Sequence, residues 1–213
     1  MTDPDELLEV LDSDGRPTGV AKPRGSVHLE GDWHLAFFCW IVRRGSPQTE
    51  GPELVLQRRA ETKDVWPGRF DASAAGHYRF GESLAHAVRE VREELGLHVE
   101  IEELVSLPRH RQQHRHANGI VDREFHDLHL WRCDLDLESY RPSLSEVSGL
   151  VALPATAIAE LAEGARPAIE AEIVRFDRNG RAERHPLVLR RDDLVPYDEG
   201  YHRLLAERAA QLV

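Results

Sequence analysis

Three glutamates constrain this chain most, because Glu90, Glu93 and Glu94 fall at i, i+3 and i+4 in the run Arg89-Glu90-Val91-Arg92-Glu93-Glu94-Leu95-Gly96. On a helix those positions share one face, stacked about a turn apart. Three like charges so close repel, so local helix formation alone gives no reason to choose them. A divalent cation removes the objection, since magnesium, manganese and calcium prefer hard oxygen ligands. Gly96 suits the end of such a helix, where a left-handed residue is needed. Gly76 and Gly81 allow a tight loop before it, from which backbone carbonyls reach the same ion. Without a cation, the run reads as a solvated helix face carrying Glu–Arg pairs.

The rest of the chain must supply a core for that helix to pack on. The 213 residues suffice for one substantial core, which makes 1–213 a single domain. Residues 34–42 (HLAFFCWIV) are almost wholly apolar and read as a buried central strand, with 53–58 as its hairpin partner. Between them, residues 45–52 form a polar loop and a candidate for disorder. Leu7 to Leu11 and a second extended piece leading to Lys22-Pro23-Arg24-Gly25 suggest an N-terminal hairpin extension over residues 1–30. Residues 70–75 are a short run of mostly small residues before the glycine loop, and 99–105 and 125–133 read as further strands, with a histidine-rich loop at 108–119. Helices are expected at 154–163 and 204–212, and Asn179-Gly180 marks a hairpin within 165–195. That hairpin is a candidate for a substrate lid or a homodimer contact.

A formal net charge of −11 argues against a nucleic-acid polymer or an anionic membrane as partner, yet permits a small phosphorylated ligand on a local basic patch. The two cysteines, Cys39 and Cys133, lie in apolar runs and suit buried free thiols in a reducing compartment. The acidic MTDPDELLEV start is no signal peptide. No apolar run is long enough for a membrane span, so a cytoplasmic location is expected.

The stretch 76–97 resembles a Nudix box, G-x5-E-x7-R-E-U-x-E-E-x-G-U with U aliphatic; Arg89 to Leu97 matches every specified position. One departure is that six residues, not seven, separate Glu82 from Arg89. On a continuous helix that would rotate Glu82 by roughly 100°. The resemblance implies an α/β fold, the Nudix α/β/α sandwich with a mixed β-sheet, carrying N-terminal hairpin and C-terminal hairpin and helix additions. It also implies Mg²⁺ or Mn²⁺ as cofactor, held by Gly76, Glu90, Glu93 and Glu94. Arg89 would orient the glutamates, since its fixed fork suits carboxylate pairing.

WHLAFFCWIV, QRRAETKDVWPGRFDASAAGH and GIVDREFHDLHL are further similar to isopentenyl-diphosphate isomerase, a branch of the same superfamily, over roughly residues 18 to 155. That resemblance implies a second metal set of His28, His34, His77, Asp122 and Glu124, a donor mixture suited to manganese, zinc or magnesium. It also implies diphosphate binding by Arg58 and Lys63, with Lys22 and Arg24 as weaker candidates. The isomerase branch needs a cysteine directly before its glycine-histidine pair, and here that residue is Ala75. The intact acid cluster with Ala75 resembles the isomerase-like Nudix hydrolases, and implies water attack on a diphosphate with Glu90 or Glu124 as general base. The substrate stays open among a nucleoside diphosphate derivative, a prenyl diphosphate and a cofactor diphosphate. The alternatives are a non-catalytic ligand-binding Nudix module and, further off, an isomerase.

Overall fold

The computed structural model describes residues 6–45, 49 and 51–213. Much of the 45–52 loop, and the first five residues of the acidic start, lie outside the described residues. In chain order the elements are β1 (Leu7–Leu11), β2 (Pro17–Pro23), α1 (Arg24–Glu30), β3 (Trp33–Arg43), β4 (Glu53–Arg59), β5 (Phe70–Asp71) and β6 (Ala74–His77). Then come α2 (Leu84–Ala87), α3 (Arg89–Leu95), β7 (Leu104–Ser106), β8 (His110–Arg115), β9 (Val121–Arg132) and β10 (Val147–Pro154). The chain ends with α4 (Ala155–Ala162), β11 (Ile169–Phe176), β12 (Ala182–Leu189) and α5 (Tyr201–Ala209).

Among the described residues the strands form one mixed sheet, ordered β12-β11-β10-β4-β3-β1-β2 along its main path. β3 lies at its centre because alternate side chains enter different cores: Ala36, Phe38, Trp40 and Val42 on one face, Phe37, Cys39 and Ile41 on the other. A strand buried on both faces needs no polar alternation, which is why its sequence is continuously apolar. β9 pairs with β3 in parallel, setting His34 opposite Glu124 and Ala36 opposite His126. β6 pairs with β3 antiparallel, setting Ala36 opposite His77 and Phe37 opposite Gly76. The box helix packs on one face through Ala87, Val91 and Leu95, and α4 and α5 pack on the other through Ile158, Leu161 and Leu205. The result is the layered α/β architecture expected.

The one-residue shortening of the box is absorbed at Val88. There the helix breaks into α2 and α3, with φ −59° and ψ −14° and a hydrogen bond from Val91 N–H to Val88 O at 3.2 Å. Gly96 ends α3 at φ +69°, and a Cβ there would stand 2.6 Å from the Arg141 carbonyl oxygen. Gly96→Ala is therefore expected to lower unfolding free energy by about 1–3 kcal/mol, read from denaturant midpoints; an unchanged midpoint would mean the turn relaxes freely.

Three local expectations give way. Residues 24–30 form a helix, so His28 sits on α1 rather than in an extended segment. The loop 108–119 contains β8, paired antiparallel along β9 from His110↔His126 to Arg115↔Val121. Residues 99–105 form a strand only from Leu104, after a single 3-10 turn at Ile101–Glu103. The Asn179-Gly180 hairpin joins β11 to β12 and extends the main sheet at its edge, where Pro186 costs no interior ladder bond.

Candidate active site

A cavity of about 290 Å³ opens where β3, β6, β9 and α3 meet. Glu90, Glu93, Glu94, Gly76, His28, His77, Asp122 and Glu124 all line it, so the two sets of candidate ligands share one space. His34, fully buried behind them, completes the second set.

On α3 the three acids differ. One oxygen of Glu94 is already used, accepting from Gln57 Nε2 at 2.8 Å and from Ala75 N–H at 3.0 Å. Glu90 stands against Gly76 and is held by Arg89 Nη2 at 2.9 Å. Glu93 is half exposed at the rim. Arg89 does not line the cavity. Its fork donates to Glu82 at 2.7 Å, to Glu90, and to the His77 carbonyl at 3.3 Å. These charge-assisted bonds tie the glycine loop to the helix. Glu82 also accepts from Arg79 N–H at 2.9 Å and stands outside the cavity lining.

The second set gathers because of strand register and α1. Ligand nitrogens of His28, His34 and His77 lie within 4.8 Å of one another, and so do donor atoms of His34, Asp122 and Glu124. His34 Nε2 and His77 Nε2 stand 3.5 and 3.3 Å from Glu124 Oε1, while His126 Nε2 stands 2.8 Å from Glu124 Oε2. Asp122 Oδ1 is buried without a hydrogen-bond partner.

Burial and crowding show in the proton affinities. Burial, then the neighbouring Glu94, pushes Glu90 up to about 8 against the pull of Arg89. Burial also raises Glu94, and burial with Glu124 raises Asp122 to about 7. Glu124 is buried too, but hydrogen bonds from His126, His34 and His77 outweigh burial and hold it well below the usual carboxylate range. Burial pushes His77 down to about 4 and His28 to about 2, so both offer neutral nitrogens at neutral pH. Carboxyls whose proton affinity is raised by burial and by crowding, an orphaned acid oxygen and neutral imidazoles are the donor set of an oxygen/nitrogen metal site; the residues fit divalent cations.

The raised carboxyls set a sign for stability. A group whose folded pKa lies above its unfolded one contributes stability that is lost as pH rises through the folded value. Above about pH 7 His28 and His77 are mostly neutral folded or unfolded. Glu90 and Asp122, raised to about 8 and 7, remain, with Glu94 and His34 raised in the same direction. Metal-free protein should therefore melt at progressively lower temperature from about pH 7 to about 8.5, and saturating Mn²⁺ should flatten that slope. A flat profile without metal would contradict the crowding.

The basic residues divide. Arg24 and Lys63 line the cavity, Arg24 near Glu6 (3.9 Å) and Asp64 (3.7 Å), Lys63 paired with Glu146. Lys22 turns away to Glu30 (2.7 Å) and Asp32 (2.6 Å), and Arg58 to Glu61 (2.8 Å) and the Gly68 carbonyl. Neither lines the cavity. Arg59, one residue on, does, held by Asp71 at 3.0 Å. Sequence reading missed it, although the alternation along β4 places residues 58 and 59 on opposite faces. Gln112, His114, Tyr197 and Trp66 also line the cavity. Trp66, at φ +49°, meets the His114 and His116 rings edge-on, whereas Trp33, Trp40 and Trp131 are core. Both cysteines are buried and neither lines the cavity; Ala75 does. Among the described residues no helix is long and apolar enough to cross a membrane.

Comparison with known proteins is consistent with this geometry. A NUDIX domain profile matches residues 32–171. An uncharacterized Nudix hydrolase of Clostridium acetobutylicum is 33% identical over 201 residues, covering 94% of this chain and 95% of that protein. An isopentenyl-diphosphate Delta-isomerase of Cutibacterium acnes is 34% identical over 148 residues, 67% of this chain and 71% of the isomerase. Among solved structures, a protein of Deinococcus radiodurans shares the fold with a TM-score of 0.54 at 20% identity, covering 97% and 98% of the two chains.

Proposed function

This chain belongs to the Nudix hydrolase family, in its isopentenyl-diphosphate isomerase-like branch, and from that premise we propose that it is a divalent-metal-dependent hydrolase of a small diphosphate. One observation carries the reading. Eight carboxylates line the cavity (Glu6, Asp71, Glu90, Glu93, Glu94, Asp122, Glu124 and Glu146) against four strong bases, Arg24, Arg59, Lys63 and Arg79. An anionic diphosphate would be repelled from such a space unless cations offset the acids first.

Glu90, Glu93 and Glu94 with the Gly76 carbonyl would hold one ion, Mg²⁺ or Mn²⁺, and His28, His34, His77, Asp122 and Glu124 another. Bound there, a divalent cation makes a water far easier to deprotonate and offsets the charge that develops on the diphosphate oxygens. Arg59, Lys63 and Arg24, which line the same cavity, bind the diphosphate oxygens. Glu90 or Glu124, both of which line the cavity, would take the water's proton. Arg89 keeps Glu90 aimed across Gly76 without touching substrate. Isomerisation is disfavoured because Ala75, where that branch uses a thiol, has no proton to exchange.

Release of phosphate from a panel of nucleoside, prenyl and cofactor diphosphates is the test, with Mg²⁺ or Mn²⁺ and with chelator. Turnover on at least one class, lost with chelator and in Glu93→Gln, is expected. Silence across the panel, with wild type and Glu93→Gln alike, would instead favour a ligand-binding module.

A further inference from the structure

Tyr197 stands at one end of the cavity, on a stretch that the NUDIX match at 32–171 does not reach. That stretch is fastened to the sheet. Val195 N–H donates to the Phe70 carbonyl at 2.9 Å, and the Pro196 carbonyl accepts from Gln112 Nε2 at 3.0 Å. The Tyr197 ring stacks on Tyr201, with centroids 4.1 Å apart and planes 10° apart. Tyr201 is itself anchored by the Trp40 indole N–H at 3.1 Å. The Tyr197 hydroxyl donates to Asp71, the carboxylate that holds Arg59. On the cavity side Ala36, Phe38, Ala75 and Val195 complete an apolar corner beside the ring. On the other side lies a second cavity, of about 440 Å³, which Val195 and Tyr197 also line. The two cavities thus share a wall made by these two side chains.

We propose that the apolar corner receives the organic group carried by the diphosphate, and that Tyr197 sets the largest group admitted. The inference rests on the hydrolase reading of the same cavity and adds to it a limit on the size of the organic group. The charged lining leaves the diphosphate one place, among the bases and the cation-holding acids. Apart from Val65 and Trp66, the corner is the apolar surface of that lining, and it is the part that Tyr197 bounds. The whole cavity holds about 290 Å³. That is at the lower edge of what small-molecule pockets usually offer. Diphosphate and cations fill part of it, so a second nucleoside has no room unless the wall opens. Tyr197 therefore acts twice: its ring limits length, and its hydroxyl positions Arg59 through Asp71. The two roles separate by substitution.

Alkyl methylenediphosphonates, whose bridging carbon resists hydrolysis, provide the ruler. Their binding to the full chain with Mn²⁺, from methyl to decyl, is read by calorimetry. Wild-type affinity should rise about fourfold per buried methylene, then fall at least ~10-fold beyond a cut-off length. Tyr197→Ala should move that cut-off several methylenes longer. Tyr197→Phe should keep it while weakening every member of the series alike. Val195→Ala should move it less, in the same direction, and guards against a Tyr197→Ala chain that does not fold. A cut-off unmoved in the folded alanine variants, no length discrimination in wild type, or no binding at any length would overturn the inference. Turnover of the matching alkyl diphosphates is measured in parallel. No turnover with the binding cut-off intact would sink the hydrolase reading and leave the wall standing.

Discussion

Gly76→Ala is expected to cut metal-dependent turnover by on the order of 10²–10³, the loss typical of removing one preorganised electrostatic group. Gly76 is not needed for an unusual backbone; it is absent from the residues with positive φ. It is needed for space. A Cβ built on it would lie 2.3 Å from Glu90 Cδ and 2.5 Å from Glu90 Oε2. Real Cβ atoms do not tolerate such separations, so the carboxylate must swing out of the cavity or β6 must move off β3. The first is the easier, because Glu90 is held by a side chain, Arg89, whereas Gly76 is paired to Phe37 within the sheet. Mn²⁺ affinity, followed by electron paramagnetic resonance, should weaken together with turnover while the melting temperature stays close to wild type. Turnover and Mn²⁺ affinity both unchanged would remove Glu90 from the site.

Trp40→Ala is expected to cost about 3–5 kcal/mol of unfolding free energy, as for other buried large aromatics. Trp40 is fully buried at the middle of β3, and its indole N–H donates to Tyr201. Against a total of roughly 5–15 kcal/mol for a domain, that is a third or more. Urea midpoints measure it, and a loss well under that range would mean that the core refills the space. Because Tyr201 carries Tyr197, any folded Trp40→Ala protein should also show a looser length cut-off than wild type.

The acid cluster and the central strand were readable because each carries a strong local signal. Glu90, Glu93 and Glu94 share a helix face by spacing alone, and residues 34–42 are apolar throughout because both faces of β3 are buried. The Asn179-Gly180 turn was equally plain. β8 was not, and the reason is physical. Its inward side chains, Gln112 and His114, face a wet, charged cavity rather than a core, so no apolar alternation marks the strand. Helix α1 was hidden by Pro23 and Gly25, residues that favour turns. Pro23 stands at the N-cap, where its missing N–H breaks no helical bond. Arg58 was preferred to Arg59 because pattern matching carries no information about which face of β4 a residue occupies. Tyr197 lies beyond the resembling segment and reaches the cavity only through long-range contacts with Phe70 and Gln112 that no local window contains.

The parallel pairing of β3 with β9 sets His34 opposite Glu124, ninety residues later in the chain. Closing so long a loop costs chain entropy before any contact repays it, so rapid local events cannot build the imidazole–carboxylate cluster. Topologies dominated by such distant partners fold in milliseconds to seconds rather than microseconds. In stopped-flow refolding, Mn²⁺ capture by the imidazole–carboxylate cluster should accordingly appear with the slowest tryptophan-fluorescence phase, and a chain still emerging from the ribosome would hold no ion in that cluster until β9 had docked.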